Sequence, residues 1–344
     1  MPSPSRSEPS SRRPTWISVG LTAGVVWALW LFGMVSGDRW ELFRDNWFMS
    51  VTMAFGSFIA GATSEGGGAV AFPVMTLLFG IEPATARDFS LMIQAVGMTA
   101  AAGTILYTRI PVERHALVWA SLGGAVGIVF GLELVAGRLS PPFAKMLFMS
   151  TWLSFAFALY LINRYHEREV HGEITNFLPR HGLLLVATGL LGGVITSITG
   201  SGLDITIFAL LVLRLRLNEK VATPTSVVLM GINAAVGFLW KGGVRGDMAA
   251  EAWGYWWVCV PIVVVGAPFG AWFIKHRSRL FVSSLLYASI GIQFVAALII
   301  VPMTPKLVAF SLAVFVTGLL LFRWMANRGV RRLEWLAAEG HSAP

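Results

Sequence analysis

Long stretches of this chain carry no charge, and short polar interruptions separate them. Charge-free or nearly charge-free runs fall at about 15–37, 47–64, 66–81, 89–108, 116–137, 146–163, 182–203, 205–213, 221–240, 252–274, 280–305 and 307–322. An α-helix rises about 1.5 Å per residue, so about 20 apolar residues cross a hydrocarbon core about 30 Å thick. Most of the runs are long enough. The runs flanking Glu65 and those flanking Asp204 read as short pairs, and a helix of about 14 residues covers only about 21 Å. The pattern predicts an all-α, polytopic integral membrane protein.

The chain also repeats itself. At an offset of 136 residues, Thr63 matches Thr199, Gly66 matches Gly202, Leu77 matches Leu213, Ala86 matches Ala222 and Ser90 matches Ser226. Beyond that the offset becomes 139, where Gly127-Ile-Val-Phe-Gly131 matches Gly266-Ala-Pro-Phe-Gly270. The slip falls in a predicted loop, Lys241-Gly242-Gly243. Both halves run short, short, long, long, long. Residues 47–163 therefore read as transmembrane repeat 1 and 182–301 as repeat 2. A disordered N-terminus and first helix (1–46) precede them, a cytoplasmic linker (164–181) joins them, and a last helix with a basic tail (302–344) follows. The Ser11-Arg12-Arg13 run invites a twin-arginine signal reading. The uncharged stretch Thr15 to Gly37 exceeds the length of a cleavable apolar region and favours a retained helix.

Charge then sets orientation. With the N-terminus inside, 18 of the Lys and Arg residues fall in inside segments and 8 in outside segments. Basic residues favour the cytoplasmic side, so both termini are expected in the cytoplasm of a cell inner membrane. Repeat 1 then starts outside and repeat 2 inside, which makes them inverted copies. The chain is 56% hydrophobic and 13% charged, against about 25% charged in soluble domains. The net charge of +8 comes from scattered residues and reads as topology; no nucleic-acid partner is expected. The single cysteine, Cys259, rules out an internal disulfide and a cysteine metal cluster. No cofactor is expected, and nothing in the pattern sets an oligomeric state.

The interruptions carry the candidate chemistry. The first reads Thr63-Ser64-Glu65-Gly66-Gly67-Gly68, and the second Thr199-Gly200-Ser201-Gly202 followed by Asp204. Each short pair is a helix broken near mid-membrane or a re-entrant hairpin with a glycine tip. Non-helical backbone at that depth is tolerable when buried in protein or lining a cavity. The helix after each turn begins with unpaired N–H groups and a positive dipole end, a natural site for an anion. Inverted repeats would bring the two tips together near the bilayer centre. The bland reading is that the glycines only allow close helix packing. Glu65 and Asp204 either titrate, coupling transport to protons, or cap the following helices. An ionised acid would repel an anion beside it, so protonation coupled to binding is sensible.

The long helix after each pair adds polar groups. Ser90, Gln94 and Gly97 share one helical face, as do Ser226 and Asn233, with Thr225 adjacent. These could hold oxygens of a small anion or could bond helix to helix. Arg87-Asp88 reads as an interfacial pair, with a lesser reading of Arg87 as an attractor of anions. Glu133 reads as reaching the headgroups. The expected partners are a small anionic solute and the lipid bilayer.

These residues resemble a known family. The glycine break, an apolar half helix with Pro73, then "PATARDFSLMIQAV" (83–96) and "EKVATPTSVVLMGINAAVGF" (219–238) is similar to the sulfite exporter TauE/SafE family, also called sulfonate uptake permeases. Gly66, Gly67, Gly68, Pro73, Ala222, Thr225 and Ser226 carry the likeness. Copy one departs at Asp88-Phe89-Ser90 and at Glu65. The resemblance implies a secondary transporter for sulfite, sulfoacetate or other sulfonates, in either direction. Three other classes compete, one of them a channel, against which saturable counterflow of labelled solute would argue. An intramembrane serine hydrolase could use Ser201, but the histidines (115, 166, 171, 181, 276 and 341) fall in or beside polar loops or the tail. A membrane scaffold would explain the apolar helices but needs no charge at the breaks. The chain is not expected to be an enzyme.

Overall fold

The structure is a computed structural model that describes residues 15–63, 66–165, 171–174, 177–274 and 277–338. In chain order the helices are α1 (Thr15–Ser36), α2 (Glu41–Ala62), α3 (Gly66–Pro73), α4 (Pro83–Tyr107), α5 (Arg114–Leu134) and α6 (Pro141–Tyr165). Then come α7 (Pro179–Thr199), α8 (Leu203–Ala209), α9 (Glu219–Phe238), α10 (Ala250–Ile274), α11 (Arg279–Ile300) and α12 (Pro305–Ala338). Wider π-helical turns extend α3 over Val74–Leu78, α8 over Leu210–Arg214 and α9 over Leu239–Arg245. Among the described residues, nine helices are long and apolar enough to cross a membrane. The protein is a polytopic all-helical membrane protein.

Local signals start these helices where the chain demands it. Pro83 and Pro179 stand at the first turns of α4 and α7, where a missing N–H costs nothing. Asn218 accepts the Lys220 N–H at 2.9 Å, and the Ser278 hydroxyl accepts the Phe281 N–H at 3.2 Å. Each satisfies a donor that the first turn leaves over.

Glycine decides how the helices pack. The two most extensive helix interfaces are α5 against α7 and α2 against α10. In the first, a Cβ at Gly123 or Gly127 would collide with the carbonyl of Val186 or Leu190, and one at Gly189 or Gly193 with that of Ala120 or Gly124. In the second, a Cβ at Gly61 would strike the Ala267 carbonyl, and one at Gly270 the Phe58 carbonyl. With lipid tails as apolar as leucine, such close backbone approach supplies the packing energy. Under the sequence offsets α2 corresponds to α7, and α5 to α10. The two interfaces are thus exchanged by the correspondence. Helices α4 and α9 pack on each other between them. Helix α1 lies on α10, where the Trp27 and Trp30 indoles donate to the Pro261 and Trp257 carbonyls at 2.9 and 2.7 Å. Helix α12 lies on α6.

Two expectations need correction. The first arm of each pair is not short: α2 has 22 residues and α7 has 21, so each covers about 32 Å. Only α3 and α8 are half-length. The charge-free run underestimates α2 because the helix continues through Asp45, Arg44 and Glu41, with a kink at Asn46. Charge ends an apolar run without ending a helix. Lys241-Gly242-Gly243 is not a loop but part of the π-helical extension of α9, tied down by the Lys241 ammonium. Helix α12 carries on through the basic segment to Ala338.

Candidate functional site

The two glycine turns meet. Gly66 has φ +73° and Gly200 has φ +80°, left-handed values that an L side chain resists. Close approach adds a second constraint. A Cβ at Gly66 would collide with Asp204 Oδ2, and would lie 2.7 Å from Gln94 Oε1 and 3.2 Å from Ser201 Oγ. A Cβ at Gly68 would lie 2.6 Å from Gln94 Nε2 and 2.9 Å from the Gly200 carbonyl oxygen. The start of α3 therefore abuts the Gly200–Asp204 segment of the other half.

Gln94 joins them. It projects from α4 one turn beyond Ser90, and its amide donates to the carbonyls of Gly200 at 2.6 Å and Ser90 at 3.0 Å. Its Oε1 is buried without a hydrogen-bond partner. Ser90 donates to the Ala86 carbonyl at 2.7 Å, and its side chain occupies the space a Gly200 Cβ would need.

The second turn is internally bonded. Thr199 Oγ1 lies 2.7 Å from the Ser201 carbonyl, and the Gly200 N–H donates to Thr196 at 2.7 Å. Asp204, fully buried, accepts the Gly202 and Ile205 N–H groups on Oδ1 at 3.0 and 2.9 Å and the Ser201 hydroxyl on Oδ2 at 3.0 Å. The carboxylate thus takes up helix-start donors of its own segment while Oδ2 faces Gly66. Thr63 ends α2, its N–H donating to the Ile59 carbonyl at 2.9 Å. Ser64 and Glu65 lie outside the described residues.

A cavity of about 10 Å³ adjoins the junction, lined by Met53, Ser57, Ala60, Gly67, Gln94 and Gly97 among others, room for about one water. Ser57 Oγ is buried there without a partner. Sequence reading passed over Ser57; its only signal was a hydroxyl at helical spacing from Gly61 in an apolar run.

The other sequence candidates sit on α9. Thr225 accepts the Glu113 N–H at 2.9 Å and donates to the Val221 carbonyl at 2.7 Å. Glu113 in turn accepts the Ile174 N–H at 2.8 Å, so this contact pins the linker to the α5 start. Ser226 donates to the Thr223 carbonyl at 2.9 Å. Asn233 is buried with both amide atoms unpartnered and faces α5, its Oδ1 3.0 Å from where a Gly124 Cβ would stand.

Two charged residues sit differently from expectation. Arg87 and Asp88 are buried, at 7% and 1% exposure, because Lys241, 153 positions on, donates to Asp88 at 2.8 Å. An interfacial pair is thereby turned into an interior one. Glu133 accepts the Trp240 indole N–H at 2.8 Å and pairs with Arg245 at 3.3 Å, its side chain still 40% exposed. Lys241 was missed as a site residue because its glycine neighbours suggested a turn.

A polytopic helical bundle in which two half-length helices meet by glycine-rich starts at a buried polar junction has the architecture of a membrane transport protein. The sequence comparison agrees. The family model for the sulfite exporter TauE/SafE family matches residues 48–292, from within α2 to within α11, and the chain belongs to that family of membrane transporters. No curated protein and no solved structure gives a match.

Proposed function

We propose that this protein is a secondary carrier of small anions, most simply sulfite or organosulfonates, and that the cargo sits where the two glycine turns meet. One observation carries the reading: Gly66 and Gly68 of one half stand against Gly200, Ser201 and Asp204 of the other, bridged by Gln94. The first N–H groups of α3 have no partners within their helix and form its positive end. A buried acceptor with no partner, Gln94 Oε1, lies beside them. A half-turn of that amide would present Nε2 to an anion, giving up its bonds to the Gly200 and Ser90 carbonyls in exchange.

The mechanism is alternating access. Repeats 47–163 and 182–301 rock about the junction as inverted copies. The exchange of the α2–α10 and α5–α7 interfaces supports this symmetry, and the cavity, with room for about one water, fits a closed state. Asp204 caps its own α8 start, and its Oδ2 faces Gly66 at the α3 start, so an ionised Asp204 repels cargo held there. Protonation of Asp204 removes that repulsion, which couples anion movement to protons. Glu65 is a second candidate for the same role. The bias of Lys and Arg supports an inner-membrane protein with both termini cytoplasmic.

The test is counterflow in proteoliposomes loaded with unlabelled anion, comparing labelled sulfite, an alkylsulfonate, a carboxylate and phosphate across pH. Saturable exchange above empty vesicles is expected for sulfite or the sulfonate. Equal rates in protein-containing and empty vesicles for all four defeat the reading.

A further inference from the structure

A second ionic cluster lies at the start of α4. Asp88 Oδ1 accepts Arg87 Nε at 3.0 Å and Nη2 at 2.8 Å, and Oδ2 accepts Lys241 Nζ at 2.8 Å and the Ala249 N–H at 3.0 Å. Lys241 also donates to the Asp247 carbonyl at 2.5 Å and lies 3.4 Å from its carboxylate. Arg245 pairs with Asp247 at 2.6 Å and with Glu133 at 3.3 Å. Arg87, Asp88 and Lys241 are buried, whereas the side chains of Asp247 and Arg245 are 39% and 37% exposed. The cluster therefore runs from surface to interior.

The backbone at its inner end touches the junction. The Arg87 carbonyl lies 2.9 Å from where a Gly200 Cβ would stand, and Arg87, Ser90 and Gln94 lie at helical spacing along one face of α4. Two buried cations and a backbone N–H converge on the two oxygens of a single carboxylate. A fork of guanidinium, ammonium and amide donors is also the way proteins hold a small free oxyanion.

We propose that Arg87 and Lys241 form an outer docking seat for the oxyanion cargo. Asp88 fills that seat as a tethered stand-in while the carrier is closed. Arriving cargo displaces the Asp88 carboxylate, frees the α4 start from the α9 extension, and then passes along the Ser90–Gln94 face to the glycine junction. The proposal rests on the anion-carrier reading for the identity of the cargo; the seat itself rests on the geometry. A purely structural lock between α4 and α9 is the competing account.

Asp88→Asn separates the two, because it removes the competing charge yet keeps an acceptor for Lys241 and the Ala249 N–H. The assay is calorimetric titration of the purified full chain with sulfite, with thermal unfolding followed in parallel. A seat predicts that Asp88→Asn tightens sulfite binding by about tenfold and Lys241→Gln weakens it by about tenfold, with Lys241→Arg near wild type. Folded Asp88→Asn protein that binds sulfite no more tightly than wild type overturns the seat. If Asp88→Asn does not fold, Lys241→Gln decides, and unchanged sulfite affinity in that variant overturns it. Counterflow by wild type without tightening in Asp88→Asn overturns the seat alone. Tightening in Asp88→Asn without counterflow by wild type overturns the carrier reading alone.

Discussion

Gly68→Ala is a direct test of whether the two turns touch. Gly68 lies in α3, and its φ is not among the positive values found at Gly66 and Gly200. Alanine therefore meets no backbone penalty there. By helix propensity alone it should stabilise α3 by about 0.5–1 kcal/mol. The fold reverses that sign. The new methyl would lie 2.6 Å from Gln94 Nε2, 2.9 Å from the Gly200 oxygen and 3.1 Å from Ser201 Cβ, where carbon contacts settle near about 3.5–4.0 Å. Gln94 is a side chain and can swing away, but then loses its 2.6 Å bond to the Gly200 carbonyl. The Gly200 oxygen is backbone, in a turn held by its N–H to Thr196 at 2.7 Å, and cannot move cheaply. Overpacking of this kind costs about 1–3 kcal/mol, and a buried carbonyl left unpaired costs about as much. Set against the propensity gain, the net expectation is a destabilisation of about 1–5 kcal/mol and a loss of anion counterflow by tenfold or more, on the order expected when a binding group shifts by about 1 Å. Gly103→Ala is the control: it is also a helical glycine, in α4, with nothing within 4 Å of its Cβ position, and should gain stability by up to about 1 kcal/mol. Thermal unfolding in detergent and counterflow in proteoliposomes read both. If Gly68→Ala gains as much stability as Gly103→Ala and exchanges anions at the wild-type rate, the turns are not in contact and the site is misplaced.

Three further outcomes follow from the same contacts. Gln94→Ala strands the Gly200 carbonyl and empties the space between the turns, so substrate affinity should fall by about tenfold while helix content, read by circular dichroism, stays at wild type. Asp204→Asn removes the one carboxylate among the described residues of the junction. Wild-type exchange should rise as pH falls and the carboxylate is neutralised, whereas the variant should give a flat profile; a profile parallel to wild type assigns the proton elsewhere. Gly127→Leu drives a side chain into the Leu190 carbonyl across the α5–α7 contact. That variant should not yield a monodisperse protein in detergent, as size-exclusion chromatography would register, while Gly20→Leu, with nothing within 4 Å on α1, should.

Hydrophobic patterning is a local property, and what depends on it was legible without coordinates. Apolar runs broken by short polar segments marked a polytopic helical protein, because each membrane-crossing helix satisfies its own backbone hydrogen bonds and needs only length and apolarity. The two glycine interruptions were visible for the same reason, as a break in composition that a helix in lipid does not tolerate unaided. Helix ends were less visible. Glu41, Arg44 and Asp45 extend α2 past its apolar stretch, and Lys241 continues α9 past a pair of glycines, since charge and glycine weaken a helix without fixing its end.

What only the tertiary structure decided is who faces whom. Lys241 reaches Asp88 across 153 positions, and Gln94 reaches the Gly200 carbonyl across 106. No periodicity encodes such pairings. They follow from which glycines let α5 settle on α7 and α2 on α10, and from the way a bundle, once packed, buries some polar side chains against one another and leaves others, such as Asn233 and Ser57, without a partner. Residue type announced that the chain crosses a membrane and where its helices fail; close packing alone set those failures side by side.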